Sequence, residues 1–242
     1  MRSDIADALP RRIETYPIAG TKVKCLVPEL VPSSQMSHLS LAQPNELEPP
    51  AQSQSPFSVR REEVLDVVET VFLRNGLRPV RIAQLAAEAR CSRRTLYELA
   101  ASKEELFLLV LDRIMRRIAR AGRDAIREEH DPVKRIVAMG TIAANGLGVL
   151  SPVFMQAVHD YAPAKLLFEH HIASARTTLE ALISDAIEQQ RCRPVDGSTM
   201  AEAILALVLH FTDGERADST SVAPATALAL VFDLFIAGAE TR

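Results

Sequence analysis

From Val59 onward, the apolar stretches of this chain recur at helical spacing, and most open on a residue that caps a helix. That regularity constrains the fold more than any other feature. The sharpest case is Ser102-Lys103-Glu104-Glu105. In this capping box the Ser102 hydroxyl accepts from the Glu105 amide, and Glu105 reaches back to Ser102. Leu106, Leu109, Val110, Ile114 and Ile118 then give one apolar face. Upstream, Val64, Val68, Val71 and Phe72 share a face, and Asn75-Gly76 closes that helix. Ile82 to Ala89 reads as a second, short helix, and Ser92 caps a third, RRTLYEL. Further starts fall at Asp131-Pro132, Ser151-Pro152, Pro163, Thr199 with Glu202, and SVAP at 221–224. No convincing alternating strand appears and no internal repeat, so the predicted fold class is all-α, with about nine helices.

The chain has 242 residues, 48% of them hydrophobic and 24% charged, which suits one or two globular domains. Residues 1–57 stand apart, holding eight of the fourteen prolines and the linker-like QPNELEPPAQSQSP. They are expected to be mostly irregular, and a start at Met36 is an alternative account of them. The expected division is an extension at 1–57, a helix-turn-helix domain at 58–105 and a helical domain at 106–242. Cys25, Cys91 and Cys192 are scattered, with no CxxC pair, which fits a reducing cytoplasm better than a disulfide framework. No signal-peptide pattern opens the chain, and the apolar run ALALVFDLFIAGA is short and carries Asp233, so no membrane span is expected.

A net charge of −3 predicts no polyanionic partner by itself, but its distribution is uneven. Arg74 to Arg94 holds six arginines against Glu88 alone, and Phe107 to Arg127 holds six more against Asp112 and Asp124. From Glu128 to the end there are eight bases and fifteen acids. A basic region of this kind is what phosphate neutralisation requires. Charge alone is equally compatible with a solvated arginine-rich face.

Geometry separates the two readings. A helix ending near Ala89, a short turn and a helix opening at Ser92 make a helix-turn-helix, whose second helix enters the major groove. Arg93 and Arg94 on its first turn match guanine acceptors or backbone phosphate. Ser92 and Thr95 offer hydroxyls, and Tyr97 a rigid phenol for a phosphate oxygen. Ser102 and Lys103 open the next helix, whose free amides attract phosphate.

These residues, from about Arg60 to Leu106, resemble the TetR (tetracycline-repressor-like) family of bacterial transcriptional regulators. RREEVLDVVETVFLRNG, IAQLAAEA and CSRRTLYELAASKEEL carry the likeness, and SxxTLYxxxxSKEEL is its specific part. The resemblance implies that the third helix reads operator DNA, that Tyr97 and Lys103 grip phosphates, and that homodimers bind palindromic sites. By position it extends to Ser92, Arg93, Arg94 and Thr95. Three departures stand out. Arg90 occupies a turn position where the family carries glycine. Val80 replaces the usual serine or threonine cap of the second helix, with Arg81 as its replacement at phosphate. Ala100 stands where an aromatic is usual, and Phe107 is a candidate to fill that space.

The resemblance also implies a C-terminal domain with a small-molecule effector pocket and dimerisation through the last two helices, AEAILALVLHF and ATALALVFDLFIAGA. Candidate pocket residues mix apolar and polar groups: Met139, Asn145, Phe154, Met155, His159, Tyr161, Phe168, His171 and Arg176. His159, Asp160, Glu169, His170 and His171 invite a metal reading, but their spacing fits no ligand pair. No nucleophile elbow, phosphate-binding glycine loop, HExxH or carboxylate pair is present, so neither cofactor nor catalysis is expected. The favoured reading is a dimeric, ligand-released repressor. The alternatives are a ligand-independent architectural or division-control protein of the same fold, and a helical small-molecule-binding protein with a vestigial helix-turn-helix.

Overall fold

The computed structural model describes residues 11–18, 21–28, 56–212 and 238. The chain divides into two units, residues 1–53 and 54–242. In the first, β1 (Arg11–Ile18) and β2 (Thr21–Pro28) pair antiparallel, with Arg11 opposite Pro28 and Ile18 opposite Thr21. These two segments of the extension are therefore paired strands, where its composition predicts irregular chain. Proline content suggests the irregularity, but Pro17 and Pro28 lie at or next to strand ends, where a missing N–H costs the ladder least. The two strands also carry Ile13, Thr15, Val23 and Val27, which favour strand.

The described residues of the second unit are all-α. Among the described residues it holds α1 (Pro56–Asn75), α2 (Ile82–Glu88), α3 (Arg93–Leu99), α4 (Lys103–Glu128), α5 (Pro132–Leu147), α6 (Pro152–Asp160), α7 (Ala162–Glu188) and α8 (Gly197–Thr212). The expected SVAP start and the helix ATALALVFDLFIAGA lie outside the described residues, Gly238 excepted. One continuous helix, α4, runs through position 105.

The caps explain most boundaries. Asp131 accepts from the amides of Val133 and Lys134, and Ser151 from that of Phe154, each followed by proline. Ser102 Oγ accepts from the Glu105 amide at 3.0 Å. The return bond of this box goes to the Ala101 amide rather than to Ser102, 3.0 Å from Glu105 Oε2. At α8 the capping oxygen belongs to Asp196, which accepts from the Thr199 amide at 2.7 Å; Thr199 itself is inside the helix.

Val64, Val68 and Phe72 of α1 and Leu106, Phe107, Val110 and Leu111 of α4 form the core beneath the first helices. Phe107 meets Phe72 edge-on at 5.3 Å, and Phe154 of α6 lies 4.9 Å beyond it. These three rings join the N-terminal helices to the rest of the unit. Ser151 Oγ also donates to the Leu73 carbonyl, fastening the start of α6 to the end of α1. Gly76 turns the chain there with φ +69, and a Cβ on it would lie 3.0 Å from the Val153 carbonyl oxygen. Below this junction α4 packs on α5 and α7, and α5 and α7 pack on α8. No single helix among the described residues is long and apolar enough to cross a membrane.

Candidate nucleic-acid interface

Helix α2 ends in a Schellman motif. The Cys91 amide bonds to the Ala86 carbonyl at 2.9 Å and the Arg90 amide to that of Ala87 at 3.2 Å. Arg90 takes the left-handed position, with φ 48. Ser92 then caps α3, accepting from the Thr95 amide at 3.0 Å. Leu85, Ala86, Ala89 and Leu96 are buried where α2 packs on α1 and α3 packs on α2. A short apolar seam thus leaves the other faces of α3 exposed.

On that surface Arg93 and Tyr97 are one helical turn apart, and both are exposed, Tyr97 at 53%. Arg94 is 89% exposed along its side chain and pairs with Glu98 at 3.1 Å. Thr95 is half-buried, and its hydroxyl lies 2.9 Å from that of Ser92. The two hydroxyls expected to face DNA are therefore occupied with each other. Arg81 is exposed and is itself the α2 N-cap, with no side-chain cap bond. Val80, expected to stand at that cap, is buried in the core. Ala100 ends α3 in extended conformation, half-buried against the core.

Lys103 is held differently from the other basic residues. Its side chain is only 20% exposed, and Nζ donates to the Leu77 carbonyl at 3.0 Å and to that of Arg78 at 3.4 Å. The ammonium closes the α1–α2 turn, and Glu104 Oε1 lies 3.9 Å from it.

The basic region does not form one open face. Within α4, Arg113 binds Glu62, Asp66 and Glu69, Arg117 binds Glu69, Arg116 binds Asp112, and Arg127 binds Asp124. Only Arg120 and Arg123 of that cluster lack a carboxylate among the described residues. Of the six arginines of 107–127, Arg113 and Arg117 tie α4 to α1, while Arg116 and Arg127 pair within α4. Sequence reasoning missed this network because its acids, Glu62, Asp66 and Glu69, sit about fifty residues upstream. It also missed Arg60, whose Nη2 donates to the Arg90 carbonyl at 3.0 Å.

The nine pocket candidates divide between core and surface. Phe154 and Phe168 are buried in the core, while Asn145, His159 and Arg176 are exposed. His171 of α7 contacts Asp112 of α4 at 3.0 Å. Burial pushes the Asp112 carboxyl up, but bonds from His171 and Arg116 outweigh it and hold it below its ordinary value. Met139 and Met155 are half-buried against the core. Tyr161, whose phenol is pushed up by burial and by nearby Glu104 and Glu105, lines a groove of about 650 Å³. That groove runs between the α1–α2 turn and α6, past Leu77, Pro79, Lys103, Val153 and Ala157, and the other eight candidates do not line it. Among the described residues no three His, Cys, Asp or Glu side chains converge on a metal position.

A capped reading helix seated on an all-helical body defines a helix-turn-helix DNA-binding regulator fold. Residues 64–110 match the model of the bacterial regulatory proteins of the tetR family. Solved structures share the fold. AibR in complex with isovaleryl coenzyme A and operator DNA is 18% identical, covering 72% of this chain and 97% of its own, with TM-score 0.57. The ketosteroid transcriptional regulator KstR2 of Mycobacterium tuberculosis is 19% identical, covering 76% and 96%, with TM-score 0.55. The TetR family regulator PfmR from Thermus thermophilus is 20% identical, covering 72% and 96%, with TM-score 0.57. No curated protein matches the chain by sequence.

Proposed function

We propose that the protein is a cytoplasmic, non-enzymatic transcriptional repressor that binds a palindromic operator as a homodimer and releases it when a small molecule binds. The observation that carries this reading is the exposed face of α3, where Arg93, Arg94 and Tyr97 stand clear of the core that holds Leu96. Arg93 and Arg94 choose the sequence through base edges, and Tyr97 and Arg81 hold phosphates. Lys103 acts on DNA from a position set by two carbonyls. Dimerisation uses α8, which leaves Ala206 exposed and Ala203 and Leu207 half-buried while Ile204, Leu205 and Val208 face inward. The effector binds in the helical domain and favours a subunit spacing that misfits the half-sites. The AibR complex, which holds both operator DNA and an acyl coenzyme A, supports the pairing of these two partners in one fold.

Selection of duplexes from a random pool by the full chain, followed by footprinting, tests this reading. Enrichment of a two-fold symmetric site protected by two chains is expected. A pool that stays unenriched sinks the DNA-reading function, and a single unrepeated half-site sinks the homodimer. A compound library is then screened for molecules that raise the melting temperature and release the selected site. A screen with no such compound removes the effector and leaves the ligand-independent alternative.

A further inference from the structure

Arg90 adopts a backbone conformation that only glycine takes without strain, φ 48 at the Schellman position between α2 and α3. Asparagine and aspartate tolerate such positions through local side-chain hydrogen bonds, which arginine does not make here. The Arg90 guanidinium has no hydrogen-bond or carboxylate partner among the described residues, and the residue is exposed. Its carbonyl, by contrast, is fixed by Arg60 Nη2 at 3.0 Å, so the turn is held in place while the side chain is left free. Arg60, Arg90 and Arg93 together make this end of the helix-turn-helix cationic, and Glu63 is the acid that pairs with any of the three, on Arg60.

Arg93 follows Arg90 by three positions, a span of at most about 10 Å. A duplex that meets Arg93 on its base edges brings backbone phosphates within the reach of an arginine at position 90. We propose that Arg90 is a DNA-backbone contact: a phosphate-binding arginine presented from the turn itself, ahead of the reading helix. This rests on the DNA-binding function proposed above. Backbone strain held beside a functional surface is a recurring arrangement, and here it positions a charge where glycine would place none.

The full chain and its R90G, R90A and R90K variants test the contact on the duplex that the unmodified chain selects. R90G and R90A are expected to bind about three- to tenfold more weakly at ~0.1 M salt, with the log–log salt slope flattened by about 0.9. R90K is expected to keep the slope. R90G is also expected to melt about 2–4 °C higher, because glycine relieves the left-handed strain while the charge is lost. Weaker binding by a more stable protein is the signature of a contact. R90G with unaltered affinity and slope overturns the proposal, as does R90A keeping the affinity and slope that R90G loses, which would make turn geometry the cause. An unmodified chain that selects no duplex overturns the DNA-binding function itself, and this inference with it.

Discussion

Arg113 Nη1 of α4 donates to Glu69 Oε2 of α1 at 2.7 Å, across the boundary between the reading helices and the body. Glu69 is only 11% accessible along its side chain, and its second oxygen accepts from Arg117 at 2.6 Å. Arg113 also holds Glu62 and Asp66, so one guanidinium gathers three acids from successive turns of α1. This fixes the direction in which α1, and everything packed on it, leaves α4.

Glu69→Gln keeps the shape but leaves two arginines facing a neutral amide. We expect it to cost about 1–3 kcal/mol, discounted from the fully buried case because Arg117 is half exposed. Thermal unfolding checks this as a fall of several degrees in Tm. A Tm within experimental error of the parent would show that the network contributes orientation but no stability.

Phe154 reads as a pocket candidate from the sequence, yet it is fully buried against Phe107. Phe154→Ala is therefore expected to destabilise by about 3–5 kcal/mol, as large truncations in packed cores do. Chemical denaturation measures it. A loss under about 1 kcal/mol would mean that the ring chain is not the joint between α4 and α6.

Lys103 closes the α1–α2 turn through the Leu77 and Arg78 carbonyls. Lys103→Met keeps the stem and removes the charge, and it is expected to lower both Tm and DNA affinity. Tyr97→Phe, on an exposed hydroxyl, is expected to lower affinity alone. Equal stability losses in the two variants would contradict the different surroundings of these side chains.

Much of this was legible in the sequence because caps and periodicity are local. Ser92, Ser102, Asp131 and Ser151 cap as their spacing predicts, and the reading helix follows from Ser92. The left-handed turn at Arg90 was legible as a departure from glycine. What sequence could not show was pairing over long separations. The destinations of Arg113 and Arg117 depend on how α1 lies along α4, which no local pattern specifies. The division of the pocket candidates between core and surface was hidden for the same reason: side-chain type does not say which face of α6 or α7 turns inward. The pairing of 11–18 with 21–28 was hidden by counting prolines without regard to where in a strand they sit.

Asp112 joins α4 to α7 through His171 at 3.0 Å and pairs with Arg116 at 2.7 Å on its own helix. Despite burial, these bonds hold its carboxyl below the ordinary value of 3.8. A carboxylate whose folded pKa is depressed contributes stability above its unfolded pKa and loses it as pH falls through the folded value. The contribution is thus constant from neutral pH down to the unfolded value and disappears below it. Asp112→Asn removes the titrating group, so its Tm should fall less than that of the parent as pH drops below about 4. At neutral pH the variant should already be the less stable of the two, having lost the charged partner of His171 and Arg116. Parallel curves for the two proteins would mean that Asp112 titrates alike in the folded and unfolded chain, and the α4–α7 contact would then contribute nothing through charge.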